Sequence, residues 1–161
     1  GQILRGVNGA AGEIGHISFP FAPGLTPLRG EAERYLGTEA FMARVRAVWP
    51  ADAGPPPRDT YELLARAGTG DATALAHVEE HAAQIGAVIA ICVSVIDPGL
   101  VVLGGGYGAS PLLRPKVEEV VRRLAFPAEI TTSSLAAEAT VLGAERLAVE
   151  RAVSALLGLP C

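Results

Sequence analysis

The stretch from Asp71 to Gly106 constrains the fold most. After GTGD, the residues Val78, Ala82, Ile85, Ile89, Cys92, Val93 and Ile96 recur at three- and four-residue steps, which predicts a long helix with Asp71 near its start. Its second half turns apolar on all sides, as expected of a helix at the centre of a larger fold. Asp97-Pro98-Gly99 breaks it, LVVL at residues 100–103 reads as a short buried strand, and Gly104-Gly105-Gly106 ends that strand in a turn. Helix, strand and glycine turn in that order point to an α/β arrangement.

The remaining elements fit around this unit. Residues 15–21 read as a short strand, and Pro20, Pro23, Gly24 and Pro27 impose an irregular loop. Residues 29–48 read as one helix with Ala32, Leu36, Ala40, Ala43 and Ala47 on its apolar face, ended by the Pro-rich segment 49–57. Asp59 or Thr60 caps a short helix through Ala67. Leu113, Val117, Val120, Val121 and Leu124 mark another helix with Pro111 near its start, and a second strand is expected at about residues 128–132. From Ala136 an alanine-rich helix closes the chain, with Gly143 allowing close packing and Gly158 a stop. A chain of 161 residues suffices for one domain or one lobe, and the reading is a single domain over residues 1–161.

Composition narrows the function classes. With 19% charged residues, a net charge of −4 and a single lysine, Lys116, the chain is neither disordered nor a basic nucleic-acid binder. Arg122-Arg123 is the longest basic run and reads as a solvated helix face. Cys92 and Cys161 form neither a disulfide framework nor a paired-cysteine metal motif, which fits a reducing, cytoplasmic setting. The apolar run at residues 85–96 is short of the roughly 20 residues a bilayer requires, so no membrane partner is expected. No secretion signal opens the chain, and its first residue is not Met, so a start inside a longer protein is expected.

Four stretches carry candidate chemistry. LVVLGGGYGAS puts glycines at the end of a strand, where α/β sheets bind ligands, and so many glycines favour a ligand-lining loop over a bare tight turn. Gly104-x-Gly106-x-x-Ala109, with Glu129 after the next strand, matches a dinucleotide fingerprint only superficially, because Pro111 delays the helix. His77 and His81 have the spacing of a metal pair but no third ligand nearby, so they read as exposed or edge histidines. Glu13 and His16 lie between glycines in AGEIGHI, and Glu33 lies in RGEAERYLG. Carboxylates with an imidazole can grip the hydroxyls of a polyol, or can equally cap a turn and satisfy backbone groups.

GAAGEIGHI, a Pro/Gly loop, RGEAERYLG, a long Ala-rich helix running into IDPGLVVLGGG, and ATVLGAERLA follow one another in an order that resembles the ROK family of sugar kinases and sugar-responsive repressors. The resemblance covers nearly the whole chain. It implies the C-terminal lobe of an actin-like, ribonuclease-H-like ATPase and sugar kinase fold, a small sheet with long helices. It further implies that Glu13, His16 and Glu33 contact a sugar or sugar phosphate. Gly104, Gly105 and Gly106 would approach the adenosine part of ATP if the parent is a kinase.

Two departures qualify the resemblance. Family members carry three cysteines that hold a structural zinc with the histidine of G-E-x-G-H, and here Gly24, Thr26 and Glu31 stand in those places. No zinc is therefore expected, and the loop at residues 20–28 is expected to be mobile. The family's phosphate-binding D-x-G-x-T loop and its N-D segment with the catalytic base lie upstream of G-E-x-G-H, and neither occurs in these 161 residues. No catalytic residue is assigned, and this chain alone is expected to be inactive. The reading that follows is the sugar-sensing part of a ROK-type transcriptional regulator, a homodimer that would reach DNA only through an absent N-terminal domain. The alternative is a lobe of an ATP-dependent sugar kinase. A nucleotide-binding oxidoreductase built around GGGYGA leaves the first half of the chain unexplained.

Overall fold

The computed structural model describes residues 2–18 and 26–158. The expected long helix is α4, Ala72–Ile96, and its start is local chemistry: the Asp71 carboxylate accepts from the Ala74 N–H at 3.0 Å. Asp59 does the same for α3, Thr60–Gly68, accepting from Glu62 N–H at 2.9 Å, so Asp59 rather than Thr60 is the cap. At its far end α4 stops at Asp97, which takes a left-handed φ of 48° before Pro98.

The chain then enters β1, Leu100–Leu103, and passes through the short α5, Gly105–Gly108, and α6, Arg114–Leu124, to reach β2, Glu129–Thr132. β1 and β2 pair in parallel, Leu100 opposite Glu129 and Leu103 opposite Thr132. A parallel pair needs a crossover, which α5 and α6 supply. α6 starts at Arg114 with Pro115 in its first turn, so Pro115, not Pro111, is the helix-opening proline.

α4 packs against α3 and, most extensively, against α6. Gly86 permits that second contact: a Cβ there would sit 2.9 Å from the Val120 Cβ. Leu63 of α3, Val78 and Val93 of α4, Val117 and Val121 of α6, and Ile130 of β2 are fully buried in one core. By length and composition α4 could also cross a bilayer, but Glu79 and Glu80 and its packing on α3 and α6 mark it as a core helix.

Several expectations are corrected. The helix at residues 29–48 is two helices, α1 (Glu31–Leu36) and α2 (Thr38–Val48), because Gly37 adopts an extended ψ of 144°. The break shifts the helical phase, so α2 buries Phe41, Met42 and Val45 while Ala43 and Ala47 stay exposed. The strand expected at residues 15–21 is instead a 3-10 turn at Ile14–His16 that becomes extended at Ile17; residues 19–21 lie outside the described residues. The mobility expected at residues 20–28 likewise falls mostly outside them. The closing helix forms as α7, Ala139–Leu157, and stops at Gly158 with φ 66°. None of its residues is buried, and Gly143 has nothing within 4 Å of a Cβ position.

Candidate functional site

An open cleft of about 470 Å³ lies between the α1 segment and the end of β1, with α4 also lining it. Ile14, Gly15, Glu33, Leu36 and Gly37 form one wall, and Val101 to Gly104 with Gly108 form the other. Most of the lining is apolar, and the Glu33 carboxylate is its charged group.

The sequence places Glu33 closely. Gly30, with φ 76°, turns the chain into α1, and the Ala32 N–H donates to Ile17 C=O at 2.9 Å, docking the Ile14–His16 turn on the helix start. A Cβ on Gly15 would come within 3.1 Å of Glu33 Oε2. One on Gly37 would come within 2.9 Å of Glu33 Oε1 and 2.5 Å of the Glu33 carbonyl. Glycines at 15 and 37 thus leave room for this side chain.

The other expected site residues disperse. Glu13 lines a separate cavity of about 260 Å³ with Gly12, Ile17, Cys92, Val95 and Ile96, against the C-terminal half of α4. His16 ends the 3-10 turn and is exposed, lining neither cavity. In the glycine turn, Gly104 is extended and lines the cleft opposite the α1 wall. Gly105 has φ 74°, which accounts for it as a turn residue, and Gly106 lies under the Tyr61 hydroxyl, 2.6 Å from where a Cβ would be. So Glu33 and Gly104 share one cleft, while Glu13 and His16 lie off it.

A buried cluster stands beside the cleft that the sequence reading missed. His81 is 3% exposed, correcting the expectation of an exposed or edge histidine, whereas His77 is half-buried and stacks on Trp49. The His81 ring stacks on Phe41 with centroids 3.7 Å apart, its Nε2 lies 3.1 Å from the Leu36 carbonyl, and its Nδ1 lies 3.1 Å from the Tyr107 hydroxyl. A carbonyl only accepts, so Nε2 carries the proton and the Tyr107 O–H donates to Nδ1. Burial, reinforced by the nearby Arg44 charge and opposed by the Leu36 hydrogen bond, pushes the imidazole down to about 4. Burial pushes the Tyr107 hydroxyl up. The missed signal was position: His81 stands three residues after Val78 and four before Ile85, on the buried stripe itself.

The N-acetyl-D-glucosamine kinase of Escherichia coli O1:K1 is 28% identical over 140 residues, covering 79% of this chain and 44% of its own length. The chain thus spans less than half of the curated relatives it matches. Among solved structures, a ROK hexokinase from Thermus thermophilus superposes with a TM-score of 0.68 at 30% identity, over 89% of this chain and 49% of that one. A ROK family transcriptional regulator, a homologue of the Escherichia coli Mlc protein, superposes with a TM-score of 0.66 at 25% identity, over 82% of this chain and 37% of that one. The fold is that of the ROK sugar kinases, an actin-like α/β lobe with long helices and a small parallel sheet. A family model described as the ROK family matches residues 1–151, and the chain belongs to that family.

Proposed function

We propose that this chain is the sugar-sensing, C-terminal part of a ROK transcriptional regulator. The observation that carries the sugar reading is Glu33, whose carboxylate is set between Gly15 and Gly37 into the wall of a cleft of about 470 Å³, roomy enough for a hexose. A carboxylate accepts from sugar hydroxyls, and the apolar remainder of the cleft suits the faces of a sugar ring. Glu13 and His16, which the family resemblance assigns to the same sugar, stand on the adjoining turn. The regulator reading is supported by the places of the family's zinc cysteines, where Gly24, Thr26 and Glu31 stand instead, and by the wording of GAAGEIGHI and RGEAERYLG, closer to regulators than to glucokinases. A dimer in the cytoplasm, acting on DNA through a separate N-terminal domain and on no membrane, belongs to the same reading.

The donor set does not fit the family's structural zinc. His16 with Thr26 and Glu31 supplies an imidazole, a hydroxyl and a carboxylate but no thiolate, and Gly24 lies outside the described residues. Among the described residues no three His, Cys, Asp or Glu side chains cluster as metal ligands. Stoichiometric zinc in the purified protein would overturn this.

A kinase is the second reading, favoured by Gly104 at the strand end across the cleft from Glu33 and by the sugar kinases among the similar proteins. In that case the glycine turn takes ATP. The full-length protein decides between them. D-glucose or N-acetyl-D-glucosamine is expected to raise its melting temperature, and Glu33→Ala to remove most of that rise, with smaller losses for Glu13→Ala and His16→Ala. Equal stabilisation of wild type and all three variants sinks the site. Sugar-dependent ADP release replaces the regulator reading with the kinase.

A further inference from the structure

We propose that His81 is a positioning residue that ties the two walls of the cleft together, so that displacement of either wall is transmitted to the other. As a statement about ligand response this rests on the sugar reading above; as a statement about linkage it rests on geometry alone.

The imidazole spends both nitrogens on the walls. Nε2–H donates to the carbonyl of Leu36, which lines the cleft beside Gly37 on the wall that carries Glu33. Nδ1 accepts from Tyr107, whose neighbour Gly108 lines the opposite wall on the turn that begins at Gly104. Among the described residues, no other side-chain hydrogen bond joins α4 to the glycine turn. The ring cannot swing to release one partner and keep the other, because it is buried and stacked on Phe41 at 20° between planes, with Tyr107 tilted against both rings. Two 3.1 Å bonds through one rigid ring therefore set the separation of Leu36 and Tyr107. A second bond from α4, Gln84 Nε2–H to the Tyr35 hydroxyl at 3.1 Å, holds α1 without reaching the glycine turn.

An apolar side chain here would leave the Leu36 carbonyl and the Tyr107 hydroxyl without this partner. The polar pair adds specificity: if either partner moves, a buried nitrogen or hydroxyl loses its hydrogen bond, so the two walls favour one joint arrangement. A ligand pulling on Glu33 then biases the turn at Gly104, a coupling that runs equally in reverse.

The test is hydrogen exchange on the full-length protein, comparing wild type with Tyr107→Phe, which keeps the ring and removes the hydroxyl, and with His81→Gln, whose amide can donate to Leu36 and accept from Tyr107. Without ligand, Tyr107→Phe is expected to speed exchange roughly five- to tenfold both at residues 104–110 and, across the cleft, at residues 36–38, while residues 117–121 of α6 keep wild-type rates. His81→Gln is expected to retain most of the protection at both walls. Faster exchange at 104–110 alone, or an equal rise at all three segments, overturns the linkage: the first makes Tyr107 a local contact and the second makes it a global stabiliser. With D-glucose added, wild type is expected to slow exchange at both walls and Tyr107→Phe at residues 30–38 only. Absence of any sugar effect in wild type removes the sugar reading, and the ligand-free rates still decide the linkage.

Discussion

The two halves of α4 invert the usual match between side-chain chemistry and surroundings. The first half carries His77, Glu79, Glu80 and His81, yet it holds Ala74, Val78 and Ala82 fully buried and takes even an imidazole into the core. The second half is nearly all apolar, yet Ile91, Val95 and Ile96 are 39%, 80% and 60% exposed, with Leu100 and Val102 of β1 exposed nearby. Polarity along a helix reports what the whole fold covers, and these residues cover only one face of its C-terminal half. α7 repeats the lesson, with Val141, Leu147, Val153 and Leu156 all exposed.

The sharpest break of this comparison is by truncation. Leu63→Ala, opposite the first half of α4, is expected to cost roughly 2–5 kcal/mol in urea unfolding. Val95→Ala in the second half is expected to stay within about 0.5 kcal/mol of wild type. A large loss at Val95 would mean that the exposed half is covered in solution.

The buried imidazole gives the next largest effect. Because folded His81 protonates only near pH 4 while the unfolded chain does so near 6.5, the unfolded state binds more protons between those values. Its contribution is fully present above about pH 6.5 and is lost as pH falls toward 4, on the order of 3 kcal/mol in all. The half-buried Glu62 carboxylate, held at about 2 by the Arg58 and Arg66 hydrogen bonds, acts in a lower window, between about 4.5 and 2. Urea titrations at pH 7, 5.5 and 4.5 isolate His81, and His81→Gln should flatten the slope. An unchanged slope places His81 in water.

A pair of identical substitutions gives the smallest effects and should differ in sign. Gly86→Ala drives a methyl into Val120 and is expected to lose roughly 1–2 kcal/mol after the gain in helix propensity. Gly143→Ala, in open space on α7, is expected to gain about 0.5–1 kcal/mol. Thermal unfolding of the two variants side by side reads both.

Much of this was legible in the residues. Asp71, Asp59, the Asp97-Pro98 stop and the Gly158 stop follow from bonds or backbone angles settled within a few residues of themselves. The site was only half legible. Glu33 and Gly104 share a cleft, whereas Glu13, just ahead of the 3-10 turn, lines another cavity. His81 reads from sequence as a histidine at the edge of the apolar stripe, and what takes it inside is Phe41, Leu36 and Tyr107, partners distant in the chain.

The sequence by itself determined the starts of α3 and α4, the stops at Asp97 and Gly158, and the family's order of motifs, because caps, prolines and glycines act over a turn or less. Only the tertiary structure decided that Gly37 splits a helix and that one imidazole spans Leu36 and Tyr107. It also decided that Glu33 and Gly104, 71 positions apart in the numbering, face one cleft. Each of these depends on which surfaces meet, and distant partners leave no local pattern in the chain.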